Sequence, residues 1–201
     1  MFDAALRKRI DPTLDRIGRG LAARGATANA ITLAGLALGL AAALAIGLGA
    51  PLVGLALIAL SRLADGLDGA VARVRGTTDF GGYLDITCDF LFYGAIPLGF
   101  AFLNPDANAL AAAGLLLSFY ANGASFLGFA ILAEKRGLVT TARGVKNLFF
   151  SGGLLEGSET IGFFVLLCLV PGAFAPLAWI FAGLCFATAV GRVMHARQIF
   201  T

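Results

Sequence analysis

Polar residues in this chain are confined to short intervals between long apolar runs. No charged residue occurs between Arg24 and Arg62. A membrane span needs roughly 20 apolar residues, so that run is too long for one span. Gly47, Gly49 and Pro51 divide it. The pattern predicts span 1 over about 27–48 and span 2 over about 52–74. Span 3 covers about 80–103 and ends before Asn104-Pro105, and span 4 covers about 107–133 and stops at Glu134-Lys135-Arg136. Span 5 covers about 150–170, ending near Pro171-Gly172, and span 6 covers about 175–196. Ahead of span 1, Ile10, Leu14, Ile17 and Leu21 recur at helical spacing between Arg9, Arg16, Arg19 and Arg24. That is the pattern of an amphipathic helix lying in the membrane interface with a basic polar face. The chain reads as an all-α integral membrane protein with six transmembrane helices. Residues 1–26 form a cytoplasmic amphipathic interfacial segment, and residues 27–201 form one six-span domain.

Composition supports this division. Of 201 residues, 59% are hydrophobic and 13% charged, whereas a soluble domain carries about 25% charged residues. The mean hydropathy is +0.87. The 27 glycines suit helices that pack closely in a membrane. All 15 Lys and Arg fall in the N-terminal segment, span 2 with its hairpin, the connection between spans 4 and 5, and the C-terminal end. None falls in the other three connections, as six spans with both termini on one side require. The positive-inside rule makes that side the cytoplasm, and the membrane a plasma or inner membrane. A net charge of +3 without a basic stripe excludes a nucleic-acid surface. Cys88, Cys168 and Cys185 fall in spans and read as buried thiols rather than a disulfide framework. The segment MFDAALRKRIDP is not expected to be a signal peptide, because no apolar core directly follows its basic residues.

The informative polar stretch is residues 65–89, DGLDGAVARVRGTTDFGGYLDITCD. Asp65 and Asp68 are three apart, and Asp85 and Asp89 are four apart, so each pair shares one face of its helix. A short turn makes spans 2 and 3 antiparallel, which lets the two acidic faces meet. Helix rise places the four carboxylates roughly 9–14 Å in from the cytoplasmic ends. Unneutralised, they would repel one another and lose hydration. Arg62, Arg73 and Arg75 are available as partners, but pairing alone does not explain four aspartates in phase on two helices. Two divalent cations would neutralise all four, and oxygen ligands without His or Cys favour Mg²⁺ or Mn²⁺ over Zn²⁺. Gly69 and Ala72 leave room beside such ions, and Arg73 has the fork geometry to bind a phosphate. Gly81 and Gly82 open the start of span 3. Two metals, an arginine and a floor of small residues suit a diphosphate.

With these residues the sequence resembles the CDP-alcohol phosphotransferase family. The family pattern is D-x2-D-G-x2-A-R followed, after a short interval, by G-x3-D-x3-D. Asp65, Asp68, Gly69, Ala72, Arg73, Gly81, Asp85 and Asp89 match its fixed positions. The stretch Thr27-Ala28-Asn29-Ala30-Ile31-Thr32 resembles the family's P-N-x-x-T, with Ala28 where the proline usually stands. The resemblance implies that Asp65, Asp68 and Asp85 hold two metal ions, Mg²⁺ or Mn²⁺. It implies that Asp89 is both a metal ligand and the base that takes the acceptor hydroxyl's proton. Gly69, Ala72, Arg73 and Thr78, with Asn29, Ala30, Ile31, Thr32 and Asp65, would contact the cytidine diphosphate portion and its metals. The implied reaction is attack of an alcohol on the phosphate distal to cytidine, with release of CMP. A homodimer is also implied.

The implied partners are a CDP-linked donor, a lipid substrate and an alcohol acceptor. The expected donor is CDP-diacylglycerol and the acceptor a small polar alcohol. The alternative exchanges them: a soluble CDP-alcohol such as CDP-choline or CDP-ethanolamine, with a diacylglycerol acceptor. Arg143 and Lys146 could bind an acceptor phosphate or act only as positive-inside charges. Glu156 and Glu159 could bind an acceptor or pair with those cations. A divalent-cation transporter is the reading from another class, but transporters place ion sites near the midplane, and these aspartates lie off-centre.

Overall fold

The computed structural model describes residues 2–137 and 157–201, with side chains from residue 11 onward. Every described element is helical: α1 (Phe2–Ala23), α2 (Ala28–Gly47), α3 (Pro51–Arg75), α4 (Asp79–Leu103), α5 (Pro105–Lys135), α6 (Gly157–Leu169) and α7 (Phe174–Phe200), with a 3-10 turn at Pro171–Ala173.

Local sequence sets the helix ends. Thr27 caps α2, its Oγ1 accepting from the Ala30 amide at 3.3 Å, and Thr78 caps α4 by accepting from the Gly81 amide at 3.0 Å. Asn104 caps α5 in the same way, with Pro105 in the first turn. Gly49, at φ +86°, reverses the chain between α2 and α3 in a conformation that a side chain disfavours.

By length and composition, α2, α4, α5 and the segment Pro171–Phe200 can each cross a membrane, and the chain is an integral membrane protein. The expectation of six spans is met only in part. The 25-residue α3 is long enough to cross, but it carries Arg62, Asp65, Asp68, Arg73 and Arg75. The described part of α6 covers 13 residues. Helix α5 extends beyond the expected span 4 at both ends, taking in Asp106, Glu134 and Lys135.

Helices α2, α3 and α4 form a trio in which α2 packs against both α3 and α4 through small residues. A methyl at Gly99 would fall 2.5 Å from the Ala43 carbonyl oxygen, and one at Gly54 would fall 3.1 Å from the Ala42 carbonyl oxygen. Both glycines therefore permit backbone contact that alanine would block. Below them, Phe92, Ile96, Phe100, Leu115, Phe164, Leu167 and Phe174 are fully buried. The Phe100 and Phe174 rings stack at 4.9 Å, and those of Phe163 and Phe181 at 4.0 Å. This aromatic core joins the trio to the α5–α7 pair.

Helix α1 lies against the far end of α3. Leu14 and Gly18 are buried on it, and a methyl at Gly18 would fall 2.7 Å from the Ala70 Cβ. The docked stripe is Leu14, Gly18 and Ala22, whereas Ile17 is 44% exposed. The four-residue apolar face expected from the sequence is thus divided: Leu14 meets α3, and Ile17 faces outward. Arg75 fastens the same corner, its Nη1 donating to the carbonyls of Gly25 and Ala26 at 3.3 and 2.9 Å.

Candidate metal centre at the basic end of α3 and α4

Because α3 and α4 are antiparallel and joined by Gly76–Thr78, the C-terminal half of α3 faces the N-terminal half of α4. Gly76 adopts φ +101° in that turn. The hairpin brings Asp65 of α3 together with Asp85 and Asp89 of α4, and one carboxylate oxygen from each lies within 4.8 Å of the others. Asp68 lines the same cleft, with Thr32, Gly35, Leu36, Arg62 and Cys88. It is engaged differently from the other three. Only 6% of Asp68 is exposed, and Thr32 Oγ1 of α2 donates to its Oδ2 at 2.6 Å. Thr32, which the resemblance groups with the nucleotide-contacting residues, thus donates to the Asp68 carboxylate.

Arg62 forms the floor of the cleft. Its Nη1 donates to Asp65 Oδ1 at 3.3 Å and to Asp89 Oδ1 at 2.9 Å. Its Cζ lies 3.9 Å from the centroid of the Phe92 ring, so the guanidinium rests on the aromatic core. Among the described residues, no partner reaches its buried Nε. The spacing of three residues from Arg62 to Asp65 was legible as a possible pair. The bridge to Asp89, on another helix, was not.

Arg62 offsets one of four carboxylate charges and uses Oδ1 of Asp65 and of Asp89, leaving Oδ2 of each available. The remaining ligands are hard carboxylate oxygens, and no His lines the cleft. That set fits Mg²⁺ or Mn²⁺. Asp65, Asp85 and Asp89 are the residues placed to hold a cation, with Asp68 adjoining.

Gly69 follows Asp68 toward the Arg75 end of α3. A methyl at Gly69 would meet nothing within 4 Å except Arg73 Nη1, at 3.5 Å. Gly69, expected beside the acidic face, therefore has Arg73 as its one close neighbour there. Arg73 Nε and Nη2 donate to Asp15 Oδ1 of α1, at 3.2 and 2.6 Å. Asn29 and Thr78 come together across α2 and α4, since a methyl at Gly81 would fall 3.0 Å from Thr78 Oγ1 and 3.3 Å from Asn29 Oδ1. Ala30 serves the cap of α2 through its amide, and Ile31 and Ala72 are half-buried. Arg143, Lys146 and Glu156 lie outside the described residues. Glu159, in the first turn of α6, accepts from the Ser158 hydroxyl at 3.1 Å.

A family model described as CDP-alcohol phosphatidyltransferase matches residues 25–194. The chain is 48% identical over 193 residues to the Inner membrane protein YnjF of Escherichia coli, covering 96% of this chain and 94% of that one. Its fold matches a crystal structure of Mycobacterium tuberculosis phosphatidylinositol phosphate synthase with CDP-DAG bound. The TM-score is 0.71 with 28% identity, over 91% of this chain and 92% of that one. The same mycobacterial enzyme in complex with manganese and citrate matches with a TM-score of 0.71 and 27% identity, over 91% and 88% of the two chains.

Proposed function

The chain belongs to the CDP-alcohol phosphatidyltransferase family, and from that premise we propose that it transfers the phosphatidyl group of CDP-diacylglycerol to a small polar alcohol, releasing CMP. The convergence of Asp65, Asp85 and Asp89 in one cleft carries this reading. Asp65, Asp68, Asp85 and Asp89 hold two divalent ions, Mg²⁺ or Mn²⁺. When bound, such ions neutralise the diphosphate and ease departure of CMP.

The chain's own residues do the rest. Arg73 binds the donor diphosphate through its guanidinium. Gly69 and Ala72 keep the wall beside it low. Asn29 to Thr32 and Thr78 line the nucleotide side. Asp89 accepts the proton of the attacking hydroxyl, because an alcohol is a weak nucleophile at neutral pH. The new bond forms between the acceptor oxygen and the phosphorus distal to cytidine. The bond from that phosphorus to the bridging oxygen breaks, and its electrons leave with CMP. Arg62 holds Oδ1 of Asp89, so the other oxygen faces the cleft.

The location suits a lipid donor. The site lies toward the end of α3 that carries Arg73 and Arg75, which the positive-inside rule assigns to the cytoplasm. The acyl chains then stay in the bilayer while the headgroup and a soluble alcohol meet at its surface. The structurally matched synthase with CDP-DAG bound supports CDP-diacylglycerol as donor, and its substrate class makes a phosphorylated polyol the first acceptor to try. A homodimer in the inner membrane, with both termini cytoplasmic and α1 in the interface, belongs to the same proposal.

The test is CMP release by the purified chain with Mn²⁺ or Mg²⁺, CDP-diacylglycerol and a panel of alcohols including inositol phosphate and glycerol phosphate. CMP formed only with CDP-diacylglycerol and one such alcohol supports the reading. CMP formed from CDP-choline or CDP-ethanolamine with diacylglycerol would reverse the assignment of donor and acceptor.

A further inference from the structure

Arg73 ends the acidic face of α3, and its guanidinium is already oriented by a residue outside the aspartate motif. Nε and Nη2 both donate to Oδ1 of Asp15, which lies 58 positions earlier on α1. The third nitrogen, Nη1, lies beside Gly69, 3.5 Å from where a methyl there would stand, and Gly69 directly follows the cleft-lining Asp68. The helix carrying Asp15 is keyed into α3 on both sides of this contact. Leu14 fills the space over Gly66, where a methyl would fall 2.8 Å from its Cδ1, and Gly18 abuts Ala70, where the corresponding distance is 2.7 Å. Leu14 and Gly18 are four apart, as are Gly66 and Ala70, so one helical ridge seats against another.

The side chains of Arg73 and Asp15 are 45% and 38% exposed, and an ion pair so exposed adds little to stability. Its effect is on direction. A long, mobile guanidinium is confined to one arrangement, with Nε and Nη2 engaged by Asp15 and Nη1 beside Gly69. Preordering a side chain in this way reduces the entropy lost when a ligand binds.

We propose that Asp15 is a positioning residue for the donor: from the docked N-terminal helix it holds Arg73 so that Nη1 faces the diphosphate of a CDP-linked substrate. The inference rests on the donor role given to Arg73 above. It makes donor affinity depend on the seating of α1, a helix that contributes none of the motif aspartates.

CDP with Mn²⁺, titrated calorimetrically into the full chain in detergent, is the probe, together with kcat and KM for CDP-diacylglycerol. Asp15→Asn raises Kd for CDP and KM for the donor about threefold to tenfold, mostly in KM rather than kcat. Asp15→Glu recovers part of the loss. Arg73→Ala loses more, and adding Asp15→Asn to it causes no further loss, because the carboxylate acts through the guanidinium. Gly18→Leu, which lifts α1 from Ala70, reproduces the Asp15→Asn effect. Unchanged or tighter CDP binding in Asp15→Asn overturns the proposal, as do losses that multiply in the double variant. A wild-type chain that neither binds CDP nor releases CMP removes the transferase reading and this inference together. Wild-type binding with an indifferent Asp15→Asn removes the inference alone.

Discussion

At the Pro51 end of the α2–α3–α4 trio, Ile46, Ile58, Ile96 and Phe100 are buried among aromatic rings and backbone meets backbone at Gly99. At the Arg75 end, the same helices present Asp65, Asp68, Asp85 and Asp89 to an open cleft. The first region is held by close packing without formal charge. The second is held by directed bonds: Thr32 to Asp68, Arg62 to Asp65 and Asp89, Arg73 to Asp15. Arg62 marks the border, with its face on Phe92 and its edge on the carboxylates. The contrast shows how a small membrane bundle keeps a highly charged site in register. The packed end fixes the spacing of the helices, and the polar end retains freedom to admit ligands.

Substitutions at the two ends should therefore separate chemistry from folding. The largest effect belongs to Asp89→Asn. Losing a positioned base lowers CMP release by about 10²- to 10⁴-fold, with CDP-lipid binding largely retained. Wild-type turnover in that variant would remove the base assignment. Next comes Gly99→Leu, which drives a side chain into the Ala43 backbone and costs about 1–3 kcal/mol or more. Its mark is a lower thermal-unfolding midpoint in detergent, whether or not metal is added. The smallest effect belongs to Gly69→Ala. Its methyl meets only the far end of Arg73, so the unfolding midpoint stays near wild type while KM for the CDP donor rises a few-fold. Equal destabilisation by the two glycine substitutions would erase the distinction between the ends.

Much of this division can be read from the chain. The boundaries of α2 follow from its apolar run, and the break between α4 and α5 from Asn104-Pro105. The aspartate faces follow from spacing within single helices, because residues three and four apart must share a side. Contacts between helices resist such reading. Thr32 reaches Asp68 across 36 positions, and Arg73 reaches Asp15 across 58, through helix rotations that no local periodicity specifies. The face of α1 illustrates the same limit. Periodicity grouped Ile17 with Leu14, but packing on α3 selects Leu14 and Gly18, because a glycine allows the closer approach. The charges that define α3 as a site also set it apart from α2, α4, α5 and the last helix, which length and apolarity alone pick out.

Whether the aspartates of α3 and α4 gather divalent ions is tested most directly by titrating Mn²⁺ into the purified chain and counting bound ions by electron paramagnetic resonance. Wild type should bind about two per chain, as a two-metal phosphoryl-transfer site requires, and a chain with Asp65, Asp85 and Asp89 all changed to Asn should bind none. A wild-type chain that leaves millimolar Mn²⁺ free, or a triple variant that binds as many ions as wild type, would contradict it.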